Sequence, residues 1–105
     1  MITDEDIERA NDFIRDNSDA LAKAKAERVY LDEFRKSKKA MLIRDASGTV
    51  QERESYAYSH AEYIEILNGL KEATHNEEKL KWLMVAAQVK IDTWRTQKAS
   101  QRSGI

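Results

Sequence analysis

The sequence contains no cysteine and no proline, and only three of its 105 residues are glycine. The lack of cysteine excludes a disulfide framework, a thiolate metal site and a cysteine nucleophile. The lack of helix breakers, beside abundant Ala, Glu, Lys, Leu and Arg, is typical of an almost wholly helical protein. No apolar run approaches the roughly 20 residues that a membrane span needs, and the acidic N-terminus MITDEDIE does not resemble a secretion signal. We therefore expect one cytoplasmic domain over residues 1–105 with no membrane partner.

Positive and negative charges are nearly balanced, because the chain contains 18 Lys and Arg and 19 Asp and Glu. Non-specific nucleic-acid binding needs concentrated positive charge, so only local basic patches could contact phosphates. No catalytic constellation is present either. His60 and Glu62 match the H-x-E pattern of zinc deaminases, but the two cysteine ligands are missing, and His75 has no partner four residues on. No glycine-rich phosphate loop occurs. The inventory predicts a protein that is not an enzyme, with no metal, cofactor or small-molecule substrate.

Helix starts and stops divide the chain. Thr3 ahead of three acidic residues predicts a helix start, and apolar residues then recur at threes and fours to about Arg44. Asn17–Asp19 is the weakest point of this first helix, because its side chains compete for backbone hydrogen bonds. The loop at 45–48 ends in Gly48, which can adopt a positive φ.

Three capping boxes of the S/T-x-x-E type follow that loop: Thr49 with Glu52, Ser59 with Glu62, and Thr74 with Glu77. They predict helices near 50–58, 60–73 and 75–100 after a first helix near 4–45. One continuous helix from 60 to 100 is the alternative. The fold class is all-α, either a long helical hairpin or a small three-helix bundle, with a coiled-coil-like dimer left open.

The stretch from Leu80 to Trp94 carries two apolar rows when it is placed on a helix. The first row is Leu80, Leu83, Met84, Ala87, Ile91 and Trp94, and the second is Trp82, Val85, Ala86 and Val89. Two adjacent rows predict burial on more than one side. We therefore expect a homodimer or a protein partner, with Trp82, Val85 and Val89 at the interface.

Two basic sets are candidate phosphate contacts: Arg35, Lys36, Lys38 and Lys39, and then Arg95, Lys98 and Arg102. In a three-helix bundle they would meet, whereas in a two-helix hairpin the last set would lie near the acidic residues 4–8. The alternative without a binding role is that both basic sets lie on solvent-exposed helix surface. Tyr56 and Tyr58, beside Tyr63, either stack exposed bases or plug the end of a bundle.

Three stretches resemble small, largely uncharacterised proteins of tailed bacteriophages from the recombination and replication region of the phage genome. They are AERVYLDEFRKSKKAMLI (26–43), ESYAYSHAEY (54–63) and KLKWLMVAAQVKIDTWRTQKASQR (79–102). The resemblance implies a virus-encoded accessory protein in the host cytoplasm, and it carries over no catalytic residue.

We therefore expect a non-enzymatic accessory protein that binds single-stranded DNA or a recombination or replication protein. The alternatives are a helical interaction protein that modulates a host enzyme and a structural assembly dimer.

Overall fold

A computed structural model describes residues 1–104, which form three α-helices and no strand. These are α1 (Asp4–Asp45), α2 (Val50–Ser59) and α3 (Ala61–Arg102). The predicted all-α class is confirmed, and the element order is that of a helical hairpin with a short helix in its connection. Within the described residues, no helix combines the length and the apolar character needed to cross a membrane.

Helix α1 begins at the predicted cap. The Thr3 hydroxyl accepts a hydrogen bond from the Asp6 amide at 3.1 Å, and the Asp6 carboxylate accepts one from the Thr3 amide at 2.9 Å. These reciprocal bonds satisfy two backbone donors that a helix start leaves open. The helix continues without a break through the weak point at 17–19, because Asn17 and Ser18 donate to the carbonyls of Phe13 and Ile14 inside the helix.

The connection to α2 also follows the local prediction. Gly48 has a φ of +108°, in the region that favours glycine. The Thr49 hydroxyl then accepts a hydrogen bond from the Glu52 amide at 3.1 Å and caps α2. The sequence signals at this turn are therefore sufficient to place it.

The other two predicted caps are wrong. Ser59 is the last residue of α2, and the Glu62 amide, which it was predicted to cap, donates to the next residue instead. His60 takes that role, because its Nδ1 accepts a hydrogen bond from the Glu62 amide at 3.1 Å.

The predicted break at Thr74 does not occur either, since α3 runs without interruption from Ala61 to Arg102. The Thr74 hydroxyl donates to the Leu70 carbonyl at 2.8 Å instead of capping a new helix. The chain contains no proline, and the Thr74 side chain is hydrogen-bonded within the helix. Nothing at this position therefore interrupts the helical backbone. The continuous helix, which was the alternative interpretation, is therefore the observed one.

The contacts of the described residues fall into two compact units, where the sequence predicts one domain. Unit 1 contains residues 1–22 and the part of α3 from Glu78 onward, and unit 2 contains residues 23–77. Helices α1 and α3 have 42 residues each and so extend about 60 Å. Each part of such a helix packs only on the neighbours beside it, which explains the separation.

Unit 1 buries a small apolar core between the start of α1 and the end of α3. Ile7, Ala10 and Ile91 are its buried members. Ile2, Ile14, Ala87 and Trp94 are partly buried around them. The α3 side of this core is therefore supplied by three members of the first apolar row, Ala87, Ile91 and Trp94.

Unit 2 has its own core where three helices meet. Leu42 from α1, Ala57 from α2 and Tyr63 from α3 are buried together, with Ile43 packed against them. Ala57 is fully buried, which shows how closely α2 approaches its neighbours. The methyl side chain of alanine permits that approach, and a larger residue would separate the helices.

Candidate interaction surfaces

The second apolar row of α3 lies at the surface of unit 1 rather than in a core. Trp82 is 62% exposed, Val89 56% and Val85 41%, and Ala86 between them is also exposed. We call these four residues the apolar face. Within residues 1–104, α1 packs on members of the first row and leaves this second row exposed. The three predicted interface residues are thus brought together on one accessible surface.

Charged groups border the apolar face at both ends. The Trp82 indole donates to the Glu78 carboxylate at 3.0 Å, and the Lys81 ammonium lies 5.8 Å from the Trp82 ring centroid. Beyond the other end, Asp92 accepts a hydrogen bond from Gln88 at 3.0 Å and lies 3.7 Å from Arg95. An apolar centre with a polar rim is the usual anatomy of a protein interface.

The first predicted basic set, which we call the central basic cluster, lies in unit 2 and its members have acidic or phenolic partners. Arg35 contacts Asp32 at 2.9 Å, Lys36 contacts Glu33 at 3.4 Å, and Lys38 pairs with Glu62. Lys39 donates to the Tyr58 hydroxyl. These contacts reduce the positive potential that the cluster offers to a phosphate.

The pKa shifts in unit 2 follow from the same ion pairs. The hydrogen bond from Arg35 lowers the pKa of the Asp32 carboxyl, and the one from Lys38 lowers the pKa of Glu62. The hydrogen bond to Tyr58 raises the pKa of Lys39. In each case the charged form is the one that the partner stabilises, so none of these groups is held in an uncharged state for proton transfer.

The tyrosines of unit 2 differ in their exposure. Tyr63 is buried in the core and meets Tyr58 edge to face at 5.5 Å between ring centroids, which fits the plugging role. Tyr56 and Tyr58 each leave nearly half of their surface exposed. The Lys39 ammonium lies 4.2 Å from the Tyr58 ring centroid, which is within the range of a cation–π contact with this exposed ring.

The second basic set lines a groove at the end of α3 in unit 1. This terminal groove has a volume of about 430 Å³ and is lined by Trp94, Arg95, Lys98, Gln101 and Arg102. All three predicted basic residues of the set are therefore brought together beside an indole. The role of Trp94 escaped the sequence interpretation, because its place in the first apolar row predicts a core residue only.

An acidic residue of α1 reaches the same groove. Asp4 accepts a hydrogen bond from the Trp94 indole at 3.3 Å and lies 3.8 Å from the Lys98 ammonium. This is the hairpin alternative, in which the last cations lie near the acidic N-terminus. Asp4 contacts one of the three groove cations, Lys98. The other two are Arg95 and Arg102.

No group of three or more His, Asp or Glu side chains within residues 1–104 is arranged to hold a metal ion. No protein-family model, no curated protein and no solved structure matches this chain.

Proposed function

We propose that this chain is a non-enzymatic accessory protein that acts by binding another protein chain through the apolar face of α3. The observation that supports this most directly is the 62% exposure of Trp82 beside the exposed Val85 and Val89. Tryptophan is among the residues that contribute most to binding at protein interfaces, and a contiguous apolar patch with a charged border is typical of a docking site.

The resemblance to small phage proteins supplies the biological setting of this proposal. It implies a setting in the host cytoplasm during phage recombination or replication, with a recombination or replication protein among the expected partners. Modulation of a host enzyme through the same face is the alternative. Both require the apolar face, so one set of variants addresses them together.

The test is capture of binding partners by a tagged chain, with the bound proteins identified by mass spectrometry. Untagged copies of the chain are co-expressed so that self-association is recorded too. The test variant combines Trp82→Ala, Val85→Ala and Val89→Ala, which retains helix-forming residues. The matched control combines Ile64→Ala and Leu67→Ala, exposed aliphatic positions on the same helix in unit 2.

We expect the wild type and the control to capture at least one binding partner, either another protein or an untagged copy of the chain, that the test variant does not capture. Circular dichroism of all three proteins should show the same helicity. If the test variant retains every protein that the wild type retains, the apolar face is not a binding surface and the proposal fails.

A second candidate function is contact with single-stranded DNA in the terminal groove. Three cations and the Trp94 indole line this groove, which is the combination that stacks a base and neutralises its phosphate. The nearby Asp4 carboxylate would repel a DNA phosphate, so the affinity should be modest. It should also depend strongly on salt, because it comes from contacts between cations and phosphates. This role uses a different surface from the apolar face, and the two can operate in the same molecule.

A further inference from the structure

A carboxylate stands at the edge of the indole that lines the terminal groove. One oxygen of Asp4 accepts the hydrogen bond of the Trp94 indole at 3.3 Å, and the same oxygen lies 3.8 Å from the Lys98 ammonium. The Asp4 side chain is nevertheless 82% exposed. A carboxylate has about four lone-pair sites, so Asp4 can accept further hydrogen bonds. These sites lie beside the ring and therefore close to the edge of a base that stacks on it.

The two parts of a nucleotide interact with this carboxylate in opposite ways. Asp4 would repel a phosphate, whereas the edge of a base can offer it hydrogen-bond donors. In a single strand the bases are unpaired, so their Watson–Crick edges are available to a protein. Guanine presents two adjacent donors on that edge, N1–H and the N2 amine, and the two oxygens of a carboxylate can accept both. Thymine presents one donor between two carbonyl oxygens, which a carboxylate repels.

The cations of the groove are spaced for a strand of nucleotides. Arg95, Lys98 and Arg102 are spread over seven residues of α3, which is about 10 Å along the helix axis. Arg95 and Arg102 lie about one turn to either side of Lys98, so they can contact phosphates on both sides of one nucleotide. Asp92 lies 3.7 Å from Arg95, but this exposed ion pair within one helix costs little to exchange for a phosphate.

From the exposed acceptor beside the indole and the spacing of the cations we infer that the terminal groove selects guanine in single-stranded DNA. Asp4 is the residue that distinguishes the base, and the Trp94 N–H holds its carboxylate in place. The other uncharged polar side chain of the groove, Gln101, lies two turns further along α3, where its amide contacts the Met1 sulfur at 3.9 Å. This inference rests on the second candidate function, because it names the base that the same groove takes. Acceptance of the guanine donors and repulsion of the thymine carbonyls both contribute to the selectivity.

The first experiment measures the binding of fluorescent single strands to the wild type by anisotropy near 50 mM salt. One strand contains thymine alone, a second carries guanines separated by thymines, and a third carries adenines at the same positions. The guanine strand should bind about fivefold more tightly than the thymine strand, as expected for a two-point contact with a base. Adenine controls for stacking, because it is a purine without two adjacent donors, and its strand should bind less tightly than the guanine strand. Replacement of guanine by hypoxanthine removes only the N2 amine and should abolish most of the preference.

The second experiment compares two variants at the start of α1. Asp4→Asn and Glu5→Gln each remove one negative charge, and both positions are exposed. The Asn side chain has one acceptor oxygen and one amide donor, so Asp4→Asn should lose the preference for guanine. Glu5→Gln should retain it. Neither variant should bind the thymine strand more weakly than the wild type does, since the chain has become more positive. Circular dichroism should show the same helicity in all three proteins.

The results separate this inference from the candidate function on which it rests. If the wild type binds the guanine, adenine and thymine strands equally, guanine selection is overturned while the DNA candidate stands. A guanine preference that persists in Asp4→Asn also overturns it, because another group then reads the base. If Asp4→Asn raises the affinity for every strand by the same factor, Asp4 is only a counter-charge and the inference fails. If no strand binds even at low salt, the DNA candidate fails together with this inference, and the proposal for the apolar face is unaffected.

Discussion

Arg28 and Glu77 form a two-point ion pair that joins α1 to α3 within unit 2. The Arg28 Nη2 donates to one Glu77 carboxylate oxygen at 3.3 Å, and the Arg28 Nε donates to the other. Only 12% of the Glu77 side chain and 32% of the Arg28 side chain are exposed. The sequence pattern assigned Glu77 to a capping box with Thr74, but its carboxylate instead joins residues that are 49 positions apart.

Replacement of Glu77 by Gln should therefore destabilise the protein although it keeps the shape of the side chain. The neutral amide offers the Arg28 guanidinium one acceptor oxygen in place of two, and it removes the negative charge of Glu77 from this partly buried ion pair. We expect a loss on the order of 2 kcal/mol in the free energy of unfolding, measured by urea denaturation. Glu33→Gln, at an exposed ion pair with Lys36, is the control and should change stability by less than about 0.5 kcal/mol. Equal effects of the two changes would contradict the importance of the Arg28–Glu77 pair.

The second prediction concerns the two faces of α3. Ile91 is 6% exposed in the core of unit 1, whereas Val89 lies on the apolar face. Ile91→Ala should reduce the free energy of unfolding by about 2–5 kcal/mol, and Val89→Ala by less than about 0.5 kcal/mol at concentrations where the chain is monomeric. Leu83, which the sequence assigned to the buried row, is 43% exposed, so Leu83→Ala should fall between them. The measurement is urea denaturation, and an effect of Val89→Ala as large as that of Ile91→Ala would contradict this assignment.

The third prediction concerns acid. The backbone hydrogen bond from Thr3, followed by its side-chain hydrogen bond, lowers the pKa of Asp6 below its ordinary value of 3.8. A carboxyl whose pKa is depressed in the folded state stabilises the fold above its unfolded pKa, and this contribution disappears as the pH falls through the folded pKa. Thermal melting of the wild type should therefore move to lower temperature as the pH falls below about 4. In Asp6→Asn this acid-dependent change should be smaller. Thr3→Ala retains the backbone amide that donates to the Asp6 carboxylate, so this variant should keep the larger part of the acid-dependent change.

The fourth prediction tests the terminal groove against the central basic cluster as a DNA contact. Binding of a fluorescent single-stranded oligonucleotide should be detectable by anisotropy near 50 mM salt and should weaken steeply as salt rises. Arg95→Gln, Lys98→Gln and Arg102→Gln together should abolish it, because they remove every cation of the groove. Lys36→Gln, Lys38→Gln and Lys39→Gln together make the same change in net charge in the other unit and should have little effect.

Two results would contradict the DNA candidate. If the two triple variants lose affinity equally, binding is a general effect of charge and not of the groove. If the wild type shows no binding even at low salt, the groove has no direct role with DNA, and protein binding remains the proposed function.

Local sequence was sufficient for several features that depend on neighbouring residues. The caps at Thr3 and Thr49, the positive φ of Gly48 and the bounds of α1 and α2 all follow from residues within one turn of each other. The members of the apolar face could also be found in this way, because helical periodicity alone groups them. The same local reasoning failed at Ser59, because the helix α2 continues to this residue and the Glu62 amide donates to His60 instead.

Tertiary structure decided which apolar row of α3 is covered. Both rows contain large apolar side chains, so the periodicity of α3 alone does not show which row packs against α1. The choice depends on the start of α1, where Ile7 and Ala10 pack against Ile91 and leave Trp82 at the surface. The terminal groove has the same origin, because Asp4 approaches Trp94 and Lys98 from a position about ninety residues earlier in the chain. Contacts over such separations depend on how helices are paired in space, which the spacing of residues within one helix does not specify.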